Sequence, residues 1–138
     1  MLHIANKYRQ AIAGLLMLAF FFATQALVFA QSNPQRIRFP RGRSSTTVSG
    51  RIVGFDMKDY VVGANAGQEM TLHLKAPNPA TYFVIYSING KPTDMNETTD
   101  WSVQTTESGD YVIRVFMMRS AARRKGAVAN YTLSISIH

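Results

Sequence analysis

The residues best suited to chemistry in this chain are the cations of one short stretch, Arg119 to Ala129, which contains three arginines and a lysine. An arginine side chain presents a planar fork of donors that binds carboxylates through two hydrogen bonds. The small side chains of Ser120, Ala121 and Ala122 leave space around the arginines. The stretch therefore predicts a compact probe for an acidic pocket on another molecule, while a solvated cationic loop stays open as the simpler interpretation.

Catalytic groups are scarce outside this stretch. The chain has no cysteine, and after the N-terminal segment its histidines are His73 and His138. A nucleophilic triad needs a histidine beside a serine or cysteine, and neither histidine is placed as such a base. The acids Asp94, Glu97 and Asp100 could be imagined as glycosidase carboxylates, but almost any domain offers two acids. We predict no catalytic residues and a protein that is not an enzyme.

Metal and cofactor sites find equally few candidates. No two histidines or cysteines have the spacing of zinc ligands. Asp56 and Asp59 form one carboxylate pair in a predicted turn, without the further oxygen ligands that calcium requires. Such a pair is more typical of turn structure, with Asp56 accepting backbone N–H groups. We expect no metal and no cofactor.

Residues 1–30 have the parts of a secretory signal peptide. Lys7 and Arg9 give a positive start, Ala11 to Phe22 an apolar core, and the segment ends in small residues with cleavage after about Ala30. A membrane anchor is the less favoured alternative, because a bilayer span needs about 20 apolar residues. The segment predicts export to a periplasm, with no membrane association after cleavage.

The exported part has the size of one domain. Cleavage leaves 108 of the 138 residues, and removing two of the 15 basic residues and none of the 8 acidic ones leaves a formal net charge of +5. Export without cysteine favours a bacterial periplasm over disulfide-rich secretion. Nucleic acid is not an expected partner, because basic and aromatic residues are not interleaved. We predict a polar tether over residues 31–35 and a single domain over 36–138; a homodimer stays open.

Alternating apolar residues predict an all-β domain. Tyr131, Leu133, Ile135 and Ile137 share one strand face, and the segment from Tyr111 to Met117 shows the same period of two. Short strands recur every 8 to 12 residues or so, as in sandwiches. The predicted strands are residues 36–39, 45–53, 60–64, 70–75, 81–87, 101–105, 110–118 and 130–138, with an Asn89-Gly90 turn and a polar loop over residues 91–100. The prediction is a single antiparallel, jelly-roll-like β-sandwich of about seven or eight strands.

The aromatic residues leave a second function open. Trp101, Tyr82 and Tyr86 could stack on sugar rings, although aromatic residues on strands more often belong to the core. Together with the positive charge they make a non-catalytic binding module for cell-wall glycan or an anionic polymer the alternative hypothesis.

Several motifs carry a resemblance to a known family. They are residues 39–45 (FPRGRSS), 50–56 (GRIVGFD), Tyr60, 66–68 (AGQ), 109–111 (GDY), 114–115 (RV), 118–123 (MRSAAR), 131–133 (YTL) and 137–138 (IH). In this order they resemble the periplasmic inhibitors of goose-type (g-type) lysozyme, over nearly the whole exported chain. The Gly-Asp-Tyr motif is also similar to prepeptidase C-terminal type sandwich modules.

The resemblance implies a β-sandwich that presses loops into the substrate cleft of a goose-type lysozyme. By position, the two arginines that contact the target in this family correspond to Arg119 and Arg123. The tyrosine of the family's Gly-Tyr-Asp turn corresponds to Phe55, which keeps the ring and lacks the hydroxyl. Asp56, Tyr60 and Ser120 complete the expected target-binding set. The implied function is a bacterial defence protein that plugs the cleft with its arginine-bearing loop.

Overall fold

The computed structural model describes residues 33–87, 89 and 92–138. The predicted signal peptide, residues 31–32 of the tether and Gly90 of the predicted turn lie outside them. The described residues form β1 (Gln35–Arg36), β2 (Ser45–Val53), β3 (Met57–Ala64), β4 (Glu69–Lys75), β5 (Thr81–Tyr86), β6 (Pro92–Thr98), β7 (Asp100–Gln104), β8 (Gly109–Met117), α1 (Arg119–Ala122) and β9 (Val128–Ile137). In this part of the chain no helix is long and apolar enough to cross a membrane.

The strands form two sheets that enclose one core. Sheet 1 has the order β1-β3-β8-β5-β6, and sheet 2 has the order β2-β9-β4-β7. The predicted all-β sandwich is confirmed. The structure adds two details: the described residues contain nine strands, and β1 pairs with β3 in parallel, with Gln35 opposite Tyr60.

The strands that sequence patterns missed or misplaced lie at the edges of sheet 1. β6 occupies the segment predicted to be a loop, and its exposed Thr93, Asn96 and Glu97 show why an edge strand needs no apolar alternation. The first strand was predicted over residues 36–39 but ends at Arg36. The Ile37 N–H still donates to the Val61 carbonyl at 2.8 Å, and the pairing stops before Pro40, which has no N–H to donate.

The core is made of the alternate residues that face between the sheets. As predicted, β9 buries Tyr131, Leu133, Ile135 and Ile137, and β8 buries its odd-numbered residues from Tyr111 to Met117. β5 buries Thr81, Phe83 and Ile85 and leaves the residues between them half-buried. The side chains of β5 on the outer face of sheet 1 are therefore partly exposed to solvent.

Gly50 leaves space for a pair of tyrosines that connects the two sheets. Gly50 lies opposite Tyr131 in the β2–β9 pair, and a Cβ at Gly50 would come within 3.0 Å of three atoms of that tyrosine's side chain. The space lets the Tyr131 hydroxyl reach the Tyr60 hydroxyl of the other sheet at 2.6 Å. Burial raises the pKa of both tyrosines, because ionisation would place a negative charge in the core.

Candidate functional site

The cationic stretch is an ordered crossing from one sheet to the other. It runs from the end of β8 at Met117 to the start of β9 at Val128, and it opens with the helical turn α1. The N–H groups of Ala121 and Ala122 both donate to the Met118 carbonyl, at 3.0 and 2.8 Å. The Ala122 side chain is 4% exposed and anchors the turn to the core. We call residues 118–127 the connector; the predicted limit at Ala129 was wrong because β9 starts earlier.

The connector is held at its base by the segment between β4 and β5. The Met118 N–H donates to the Ala80 carbonyl at 2.9 Å. The Asn78 side-chain amide donates to the Val128 carbonyl at 3.2 Å. In the sequence, Asn78 stands between Pro77 and Pro79. No local pattern predicts a side-chain bond to a carbonyl 50 residues away, so the role of Asn78 emerges only from the fold.

The turn between β2 and β3 lies directly beside the connector. The Asp56 N–H closes this turn on the Val53 carbonyl at 3.1 Å. Gly54 has a φ of +57°, a conformation that costs other residues free energy. Its N–H donates to the Ala127 carbonyl at 2.9 Å, so the turn and the connector are joined by a hydrogen bond. Phe55 stands at the tip with 63% of its surface exposed.

The turn, the connector and the adjoining strands enclose an open groove of about 700 Å³. Its lining consists of Phe55, Met57, Glu97, Phe116, Met117, Met118, Arg119, Ser120 and Arg123. Four of the six residues predicted from the sequence, namely Phe55, Arg119, Ser120 and Arg123, therefore share one surface. We call it the recognition groove.

The other two predicted residues lie elsewhere. Tyr60 is 1% exposed and bonded to Tyr131, so it supports the scaffold and is out of reach of a partner. Asp56 is exposed on the turn but does not line the recognition groove. Within the described residues its side chain makes no hydrogen bond, so the expectation that it accepts backbone N–H groups was wrong. Asp59, its predicted companion, lies on β3 and binds Arg114 through two 2.8 Å bonds.

The groove arginines differ from Arg36 and Arg114, which are held by carboxylates of the fold. Arg36 binds Asp110 through both carboxylate oxygens, and the pKa of Arg114 is raised, first by its hydrogen bonds to Asp59. Among the residues that the structure describes, neither Arg119 nor Arg123 forms an ion pair. The side-chain contact of Arg123 is a 3.4 Å bond from Nε to the Arg119 carbonyl. Their guanidinium groups are thus available to a partner's carboxylates.

Apart from Phe55, the apolar part of the groove was missed by sequence reasoning. Phe55, Met57 and Met118 are exposed by 63, 51 and 38%. Met57 was assigned to a turn, whereas the structure places it at the start of β3 opposite Phe116 of β8. Residues on separate strands become neighbours only through the register, so no local pattern could have joined them.

The remaining candidates form no catalytic or metal-binding set. The described residues contain no group of three or more His, Asp or Glu side chains that could hold a metal ion. His73 lies on the exposed face of β4, and its hydrogen bond to Asp100 lowers the pKa of that carboxyl. Trp101 packs against the core. Tyr86 is half-buried on sheet 1 with Arg114 5.4 Å above its ring.

Fold and surface together define a β-sandwich that presents exposed apolar and cationic side chains at one end. The chain is 26% identical to the inhibitor of g-type lysozyme of Escherichia coli (strain K12), over 95% of this chain and 98% of that protein. No protein-family model matches it.

Solved structures agree with this similarity. The periplasmic inhibitor of g-type lysozyme PliG of Aeromonas hydrophila is 26% identical with a TM-score of 0.70, covering 77% of this chain and 96% of that one. The pre-peptidase C-terminal domain of a Bacillus anthracis collagenase, 13% identical with a TM-score of 0.51 over 78% of this chain and 96% of that domain, shares the fold. The resemblance expected from the motifs is confirmed. The two inhibitors are named for blocking a lysozyme, which agrees with a chain that is not an enzyme.

Proposed function

We propose that the protein is a periplasmic inhibitor of a goose-type lysozyme and that it blocks the substrate cleft with the recognition groove and its arginines. The observation that carries the proposal is the meeting of Phe55, Arg119 and Arg123 on one surface, in a chain similar to inhibitors of that lysozyme type. A glycosidase cleft displays carboxylates. Arginines without an internal partner are suited to such a cleft, because a desolvated arginine often dominates the energy of an interface.

The localisation belongs to the same proposal. Residues 1–30 act as a signal peptide that is removed after about Ala30, and the sandwich is the working domain. Of the predicted tether over residues 31–35, Gln35 belongs instead to β1 of the sandwich. The relative from Aeromonas hydrophila is described as periplasmic.

The arginines provide the first test. Purified protein is added to a goose-type lysozyme while cell-wall lysis is followed by turbidity. The double variant Arg119→Ala/Arg123→Ala is expected to raise the inhibition constant at least about 100-fold, because two interface anchors are lost. Arg124→Ala is the matched control: Arg124 lies in the same connector, is exposed and does not line the groove, so its loss should change inhibition less than about threefold.

The proposed function fails if the wild-type protein at micromolar excess leaves the lysozyme active. The proposed site fails if the double variant inhibits as well as the control. Circular dichroism of each variant shows whether the sandwich remains folded.

The alternative is a non-catalytic module that binds cell-wall glycan or an anionic polymer. It draws support from the half-buried Tyr82 and Tyr86 on the outer face of sheet 1. Binding to purified peptidoglycan that is lost in Tyr82→Ala, with no effect on lysozymes, would favour it.

A further inference from the structure

Exposed apolar side chains are concentrated at one end of the sandwich. Among the described residues, five large apolar side chains are exposed: Val53, Phe55, Met57, Val103 and Met118. Four of these belong to the β2–β3 turn, the residues flanking it or the connector, and Val103 lies on β7. Contiguous exposed apolar surface on a soluble domain marks an interaction site more often than isolated residues do.

The recognition groove has an apolar lining between its cations. Met57 and Phe116 are paired across β3 and β8, so they line the groove from the sheet, while Phe55 and Met118 come from the two loops. Methionine side chains are flexible and polarisable and adapt to differently shaped partners. The volume of about 700 Å³ lies in the range that accepts a bulky organic group.

We propose that this groove takes up a bulky apolar side chain that projects from the target lysozyme beside its substrate cleft, while Arg119 and Arg123 contact acidic groups. The inference rests on the proposed function. To the contacts of the arginines with acidic groups it adds an apolar contact inside the groove. The target would then be recognised by an apolar protrusion next to carboxylates, and the two parts of the surface would contribute in physically different ways.

Charge and lining chemistry favour this occupant over others. A second copy bound through the same patch would bring the connector cations of both copies together, because a two-fold interface places like residues near each other. Those cations are Arg119, Arg123, Arg124 and Lys125. A glycan chain needs many polar partners, whereas Ser120 supplies the hydroxyl in this lining and most of the other side chains are apolar or cationic.

The test removes the apolar contact without touching the arginines. Met57→Thr keeps a residue suited to a strand and removes an exposed side chain from the groove. The inhibition constant is expected to rise about tenfold, by the same factor at low and high salt, because burial of apolar surface is not screened. The heat-capacity change of binding should become less negative. Arg119→Ala should instead reduce the salt dependence itself.

Val103→Thr is the matched control, because it also removes an exposed apolar side chain, one that lies on β7 and does not line the groove. It should leave inhibition unchanged. If Met57→Thr inhibits like the wild type while the double arginine variant does not, the groove proposal is wrong and the proposed function stands. A wild-type protein that neither binds nor inhibits the lysozyme overturns both. A wild-type dimer in sedimentation that Met57→Thr dissociates, at an unchanged inhibition constant, assigns the groove to self-association and also overturns the proposal.

Discussion

At the scale of single residues, Phe55 is the clearest difference between this chain and the pattern of the family that it resembles. The ring is 63% exposed at the tip of a turn, so a hydroxyl added to it meets solvent in the free protein. Its effect should therefore fall on binding and leave folding unchanged.

Phe55→Tyr is expected to strengthen inhibition of a goose-type lysozyme about fivefold, the equivalent of one hydrogen bond of about 1 kcal/mol. Inhibition constants measured in parallel for the two proteins, with melting temperatures to show unchanged stability, check this. An unchanged constant would mean that the target offers no partner at this position.

At this scale, sequence chemistry locates a side chain best where it lies on the surface, and the binding role of the two groove arginines stays a prediction. Arg119 and Arg123 were identified from their chemistry and from the motif, and the structure places both at the groove. Tyr60 was expected to contact a partner but is buried in the structure, because a tyrosine at the edge of a motif can serve either a partner or the core. Its bond to Tyr131, 71 residues away, has no trace in local sequence.

At the scale of elements, strands were predicted well where they are half-buried. The bounds of β2 match the prediction, and the inward faces of β8 and β9 agree residue by residue. β1 and β6 were misplaced or missed because edge strands are held by backbone hydrogen bonds and bury few side chains. The helical turn α1 was missed because four residues are too few to show a period.

The pairing of β2 with β9 depends on the absence of a side chain at Gly50. Gly50→Ala is expected to lower the free energy of unfolding by about 2 kcal/mol, because the new methyl group overlaps the Tyr131 ring in a packed core. Urea unfolding followed by tryptophan fluorescence measures the change. Ser49→Ala, on the exposed face of the same strand, should stay within about 0.5 kcal/mol; equal effects of the two substitutions would contradict the packing argument.

At the scale of the whole molecule, the bonded tyrosine pair makes stability depend on alkaline pH. The pKa values of Tyr60 and Tyr131 are raised above the ordinary value of 10.0, so the unfolded chain loses these protons first. The stabilisation is complete below pH 10 and declines as the pH rises above it, by up to about 1.4 kcal/mol per pH unit for each tyrosine.

Urea unfolding between pH 8 and 11 tests this dependence. Tyr60→Phe/Tyr131→Phe should show a shallower decline, and its stability at pH 8 should stay close to that of the wild type, because both partners of the bond are removed together. Tyr60→Phe alone leaves a buried hydroxyl unpaired and should cost about 1–3 kcal/mol at pH 8. Parallel pH profiles of the wild type and the double variant would contradict the assignment.

The hydrogen bond from Gly54 to Ala127 has a consequence for engineering. Both loops of the recognition groove cross between sheets, and the strands beside them keep their register through β2–β9 and β3–β8 pairing. Loop length and chemistry can therefore change without strand slippage. Residues 54–56 and 118–127 should be moved together when they are grafted onto a related sandwich. If only one of the two loops is grafted, we expect the hydrogen bond between the two loops to lose its geometry. Under the proposed function, we expect the specificity for a target lysozyme to be transferred with these two loops, while the sandwich stays the same.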